Sequence, residues 1–162
     1  RSRIACLRGD AGDMASPRLQ LGRETIAGAV YAITAVSAGR RALFADADAA
    51  EAIVEEIRLA RRKGLADSLA WAVMPDHLHW MFELHGPSLG QVVGRVKSCS
   101  ARRINALAGS DGGLWQPGYY DHRLRDDEDL AVQAHYILAN PVRRGLAAEV
   151  GSYPYAWCRY PL

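Results

Sequence analysis

The chain is short of the features that define several large protein classes. No apolar run in its 162 residues approaches the roughly 20 that a membrane-spanning helix needs, and no signal peptide is visible. Cys6, Cys99 and Cys158 are odd in number and widely spaced, with no zinc-type pairing. They suit reduced thiols, and the compartment expected is the cytoplasm. Lysine is nearly absent: eighteen of the twenty basic residues are arginine. Alanine is abundant too, and a GC-rich genome explains both. A net charge of +2 and a pI near 8.5 are too mild to identify a nucleic-acid binder on their own. There is no internal repeat and no low-complexity tract. The first thirteen residues are polar and contain glycine, and Met14 fits a natural start. Residues 1–17 are therefore expected to be a disordered extension, or one added for expression. A single domain is expected over residues 18–162, long enough for a substantial core.

What the chain does have is a regular alternation of elements. Residues 29–36 are apolar and β-branched, as a first strand requires. Asp46 caps a helix to about residue 63, with Ile53, Val54, Ile57 and Leu65 on its core side and Gly64 at its end. Residues 68–74 form a second strand, Pro75 and Asp76 a tight connection, and residues 77–84 a third strand. Ser88 caps a second helix whose apolar stripe is Leu89, Val92, Val93, Val96 and Leu107; the glycine-rich loop 109–113 ends it. Residues 119–125 supply a fourth strand. A last helix opens on acidic residues 126–129 and is closed by Pro141. The order βαββαβ followed by a helix predicts an α+β fold, a ferredoxin-like sandwich with an antiparallel sheet.

Two local patterns carry chemistry. In His77-Leu78-His79 the imidazoles share one face of a strand, about 6.6 Å apart at Cα, while Leu78, Trp80 and Phe82 take the other face as core. Such a pair is able to grip one divalent ion, and equally fits two surface histidines. In the last helix Leu130, Ala134, Ile137 and Leu138 form the buried stripe. Tyr136 lies roughly 150° from its centre, with Asn140 one turn later on the same side. A tyrosine there either packs against another element or serves a site.

Three blocks, in order, bear on that choice. Met74-Pro-Asp-His-Leu-His79, then Leu114-Trp-Gln-Pro-Gly-Tyr-Tyr-Asp-His122 with Arg125-Asp-Asp-Glu-Asp-Leu130, then Tyr136-Ile-Leu-Ala-Asn-Pro-Val-Arg-Arg-Gly-Leu146, resemble the REP-associated tyrosine transposases. These are single-tyrosine HUH transposases, named for a His-hydrophobic-His motif. The resemblance runs from about Arg18 to Tyr160. One departure is Asp76, where the family usually has Asn; it is expected to point to the other face, with little effect. The resemblance implies that His77 and His79 are metal ligands, that Asn140 adds a third, and that Tyr136, on the C-terminal helix, is the nucleophile.

The chemistry implied is coherent. Tyrosine has a pKa near 10, so on the order of one in a thousand is ionised at neutral pH. A Mg²⁺ or Mn²⁺ cofactor supplies the charge that phosphate attack needs. The expected function is a metal-dependent single-stranded DNA endonuclease and strand transferase. It would nick hairpin-associated DNA through a 5′-phosphotyrosine link. The alternative is a domesticated, silent hairpin-binding protein. The expected partner is single-stranded or hairpin DNA, with no membrane, and relatives leave both a monomer and a homodimer open. For DNA contact the polar face of the second helix offers Arg95 and Arg102, with Lys97 and Arg103 nearby, a pattern that a solvated helix face explains equally well. Arg123 and Arg125 flank the fourth strand, and Arg143 and Arg144 follow the tyrosine helix. Trp115, Tyr119 and Tyr120 suit stacking on unpaired bases, and equally suit packing.

Overall fold

A computed structural model describes residues 25–126 and 128–162; the expected extension at residues 1–17, and Cys6 with it, lies outside them. Five strands form one sheet: β1 (Val30–Val36), β2 (Ala66–Met74), β3 (His77–Leu84), β4 (Tyr120–Arg123) and β5 (Ala156–Cys158). Their spatial order is β4-β1-β3-β2-β5, and every neighbouring pair is antiparallel. The first four strands have the predicted ferredoxin-like arrangement. β5 extends it beyond β2 and is not foreseen by the sequence pattern, because three residues between Pro154 and Pro161 carry no readable alternation.

Helices α1 (Ala47–Arg62) and α2 (Leu89–Ala108) cover one face. Asp46 caps α1 by accepting from Ala49 N, and Ser88 caps α2 by accepting from Gln91 N. Ile53, Val54, Ile57, Leu89, Val92, Val93 and Val96 pack there on Ile33, Leu78, Trp80 and Phe82. Trp80 Nε1 donates to Ser68 Oγ at 2.9 Å, so the largest buried ring brings its own polar partner. Leu107 does not join the stripe; it is 63% exposed, and Ile104 is the last buried apolar residue of α2. Periodicity places Leu107 on the right side, but the final turn of this 20-residue helix overruns the layer beneath it.

The opposite face is covered by α3 (Leu130–Leu138), whose Ala134 and Ile137 pack on Ala32, Ala70, Ala72, Met74 and Met81. The acidic run does not open this helix. Asp129 alone caps it, accepting from Ala131 N and Val132 N. Pro141 does not close the helical path either. It lacks an N–H and breaks the hydrogen-bond ladder at Ala139, whose φ and ψ stay helical; a short α4 (Asn140–Arg143) then continues. Asn140 therefore keeps its one-turn offset from Tyr136.

Candidate active site

Period two sends His77 and His79 out of β3 on the face that α3 covers. Across the ladder His79 faces Thr34 on β1 and Ala72 on β2. The two Nε2 atoms stand 3.0 Å apart. Each ring is held from behind: His77 Nδ1 lies 2.6 Å from Asp76 Oδ1, and His79 Nδ1 lies 3.0 Å from Thr34 Oγ1. One neutral assignment of protons satisfies the whole chain. His77 Nδ1–H donates to the carboxylate, His79 Nε2–H donates to His77, and the Thr34 hydroxyl donates to His79. Burial holds both imidazoles neutral. His79 is pushed down to about 3, by burial first and then by the charges of His77, Arg143 and Arg144. His77 is also lowered, chiefly by burial; the Asp76 contact opposes this, and Arg144 and Arg40 add to it.

Asp76 is thus a correction. Strand alternation points it away from the histidines, yet it orients one of them. The two-residue turn bends the chain so that Asp76 meets the ring that follows it. The histidine face is also not an open polar surface: His79 is only 7% exposed, beneath α3.

The arrangement fits a divalent ion. Neutral imidazoles tied at Nδ1 and converging at Nε2 suit metal-binding histidines once His79 takes its other tautomer, with Nδ1–H donating to Thr34 Oγ1 and both Nε2 lone pairs left for the ion. Two ligands about 2.1 Å from one ion and at right angles stand about 3.0 Å apart, the same separation as the two Nε2 atoms. Asn140 is buried, and its Nδ2 has no hydrogen-bond partner among the described residues, while its Oδ1 accepts from Arg143 at 2.9 Å. The unmatched atom is an N–H donor that calls for an acceptor oxygen; only Oδ1 has the lone pairs to face a cation. No cluster of three or more His, Cys, Asp or Glu side chains suited to a metal occurs among the described residues. The two imidazoles converge on this face, and Asn140 lies one turn beyond Tyr136 on the helices that cover it.

Tyr136 lies on α3, half-buried, away from the Ala134 and Ile137 stripe. The Arg143 guanidinium covers its ring at 3.7 Å from the centroid. The same guanidinium donates to Tyr136 O at 2.6 Å and to Asn140 Oδ1. One arginine thus ties together the proposed nucleophile and the proposed third ligand. The sequence offered Arg143 only as one of two basic residues after a helix.

A family model described as IS200-like transposase matches residues 25–140, a span that includes His77, His79, Tyr136 and Asn140. The chain belongs to the IS200-like transposase family. Within it, the chain is similar to an Escherichia coli K12 REP-associated tyrosine transposase, 26% identical over 87 residues, which are 54% of this chain and 51% of that protein. A Haemophilus influenzae protein assigned to the same group is 28% identical over 102 residues, 56% of this chain and 57% of its own length. The chain spans about half the length of these relatives. Its fold matches a REP-associated tyrosine transposase solved with a REP hairpin, with a TM-score of 0.66, 23% identity, and coverage of 83% of this chain and 79% of that one. A candidate transposase from Deinococcus radiodurans matches with a TM-score of 0.52 and 19% identity, covering 79% of this chain and 98% of that one.

The residues expected to touch DNA divide sharply. Arg95 and Arg102 are exposed on α2, on the far side of the sheet from the histidines. Lys97 is half-buried, and its ammonium donates to Gln116 O and Gly118 O, clamping the loop before β4; burial lowers its pKa. Arg103 bridges α2 to α1 through the buried Glu56 at 3.0 Å. Trp115 is packed, with its ring on Phe44 at 4.6 Å and its Nε1 donating to Ser100. Tyr119 packs on the same core. Tyr120 stands opposite Thr34 and so shares the histidine face. Arg123 and Arg125 are exposed at and beyond the end of β4. Close to the histidines the cations are instead Arg40, Arg143 and Arg144, whose charges reach His77 or His79. They come from loops and helix ends far apart in sequence, and no local pattern gathers them. No described helix is long and apolar enough to cross a membrane.

Proposed function

We propose that this chain is a metal-dependent single-stranded DNA endonuclease and strand transferase acting on hairpin-associated DNA. The observation that carries the reading is the convergent, back-tied Nε2 pair on the face that the Tyr136 helix covers. His77, His79 and the Asn140 amide oxygen would hold Mn²⁺ or Mg²⁺, and two imidazoles favour the softer Mn²⁺. Such an ion, when bound, would polarise a non-bridging phosphate oxygen and offset the charge that develops there.

The residues of the chain do the rest. Tyr136 Oη attacks phosphorus, the bond from phosphorus to the 3′ oxygen breaks, and the phenol's proton leaves as the 3′ oxygen gains one. The product is a free 3′-hydroxyl and a 5′-phosphate ester on Tyr136. The ester conserves the phosphodiester's energy, so the reverse attack rejoins strands without ATP. Arg143 fixes the ring by stacking and places positive charge beside it. Arg40 and Arg144 add an electropositive rim that draws the backbone phosphates in. α3 packs on the sheet of its own chain, which supports a nucleophile and histidines working within one subunit. DNA as substrate sets the compartment, the cytoplasm. The REP hairpin held by the solved relative supports a hairpin with a single-stranded flank as the ligand. The presence of His77, His79, Tyr136 and Asn140 together supports the enzyme over the silent hairpin-binding alternative.

The test is incubation with hairpin oligonucleotides carrying single-stranded flanks, in Mn²⁺. A covalent protein–DNA band should form, and mass mapping should place it on Tyr136. Tyr136→Phe keeps the ring under Arg143 and should abolish the band while hairpin binding persists. An adduct on another tyrosine, or none across several hairpins and both metals, would overturn the reading.

A further inference from the structure

A cavity of about 680 Å³ lies between α1 and the β5 edge, on the side of the sheet away from the histidines. That is within the roughly 300–1,000 Å³ of small-ligand clefts. Arg58, Arg61 and Arg62 of α1 line one side; Trp71, Trp157 and Pro154 line the other. Trp71 and Trp157 face each other across the β2–β5 ladder and stack with centroids 4.6 Å apart and planes 24° apart. Trp71 is buried beneath, and Trp157 is only partly covered.

The arginines already have acidic neighbours. Arg58 pairs with Glu51 and Glu55, Arg62 with Glu55, and Arg61 with Asp67, which Arg159 also meets. Four guanidiniums thus face three carboxylates, and the rim keeps an excess of positive charge. These pairs are solvent-exposed, of the kind worth little to stability and readily exchanged for a competing anion. An indole floor beside guanidiniums matches the two parts of a nucleotide, a flat aromatic base and a charged phosphate.

We propose that this cavity is a second DNA subsite, taking one unpaired base on Trp157 with adjacent phosphates against Arg58, Arg61 and Arg62. It rests on the reading of the chain as a single-stranded DNA enzyme and adds a place where the flanking strand is held. α3 contacts β5 on the histidine side, so the β5 edge joins the face of the Tyr136 helix to the face that holds the cavity.

Tryptophan emission reads the subsite directly, because two of the four tryptophans line it. The probe is a single-stranded DNA of about eight nucleotides, within the usual range for one binding groove. It should quench the wild-type chain. A matched abasic strand should bind about tenfold more weakly, as loss of one stacked base predicts. Trp157→Ala should lose a similar factor, and Trp157→Phe, which keeps a ring if the alanine variant fails to fold, should lose less. Arg61→Glu with Arg62→Glu should weaken natural and abasic strands alike. Equal affinity for the abasic strand, or affinity and quenching unchanged by both Trp157 substitutions, overturns the subsite. The Tyr136 adduct separates the two readings. An adduct without Trp157-dependent quenching removes the subsite and leaves the enzyme; the quenching without any adduct keeps the subsite and removes the enzyme.

Discussion

The two faces of the sheet are built from different materials. Beneath α1 and α2 lie Ile33, Leu78, Trp80 and Phe82; beneath α3 lie Ala32, Ala70, Ala72, Met74 and Met81. Large side chains on the first face interlock with two long helices and remove much apolar surface from water. Small ones on the second let a nine-residue helix come close and leave space for two imidazoles and a threonine. Stability and chemistry are thus held by alternate residues of the same strand, β3. The adaptable methionines on the chemical face tolerate the polar neighbours that a tightly interlocked core would reject.

The comparison breaks first at Trp80. Trp80→Ala should cost about 3–5 kcal/mol in urea unfolding, from a large cavity and the loss of Ser68's donor. A cost below about 1 kcal/mol would mean that the two faces share the load. His79→Ala should cost less, about 1–3 kcal/mol, because it leaves the Thr34 hydroxyl facing a buried gap. No loss of stability there would show that the histidine face is wetter than its burial implies.

Asp76→Ala sharpens the contrast from the other side. It should weaken Mn²⁺ binding by about 10–100-fold in calorimetric titration while costing about 0.5–1.5 kcal/mol of stability for the one hydrogen bond lost. Asp76→Asn keeps an oxygen acceptor at the same place and should retain most of the affinity. The smallest effect is expected on α2's outer face. Arg95→Ala with Arg102→Ala should lower the slope of log affinity against log salt by about one unit for each phosphate left without its arginine. An unchanged slope would return both arginines to ordinary solvated surface.

Much of this was legible in the sequence, for definite reasons. The histidine pair was readable because a period of two fixes the face of a side chain whatever the tertiary surroundings. The caps at Asp46 and Ser88 were readable because they depend on a few neighbouring atoms. Long-range partnership was not. Lys97 and Arg103 look like any exposed cations on a helix, and only folding brings Lys97 to the carbonyls of Gln116 and Gly118 and Arg103 to Glu56. Arg143 stacks on Tyr136 because the chain stays helical through Ala139 despite Pro141, which a rule about proline does not foresee. Thr34 becomes a histidine's partner only through the β1–β3 register, which pairs residues 45 apart. The Trp71–Trp157 stack depends on a strand too short to announce itself.

Pro75 and Asp76 are all that separate β2 from β3. Hairpin length sets strand register, and a slip of one residue turns every side chain to the opposite face. One residue gained or lost here, if it slid β3 along its neighbours, would carry both imidazoles into the layer of Ile33 and Trp71 and bring Leu78 and Trp80 out under α3. A loop that does not set the register of two paired strands carries no such constraint. A survey of single-residue insertions along the chain should find its narrowest tolerance between residues 74 and 77. At this bend the count of residues matters as much as their identity.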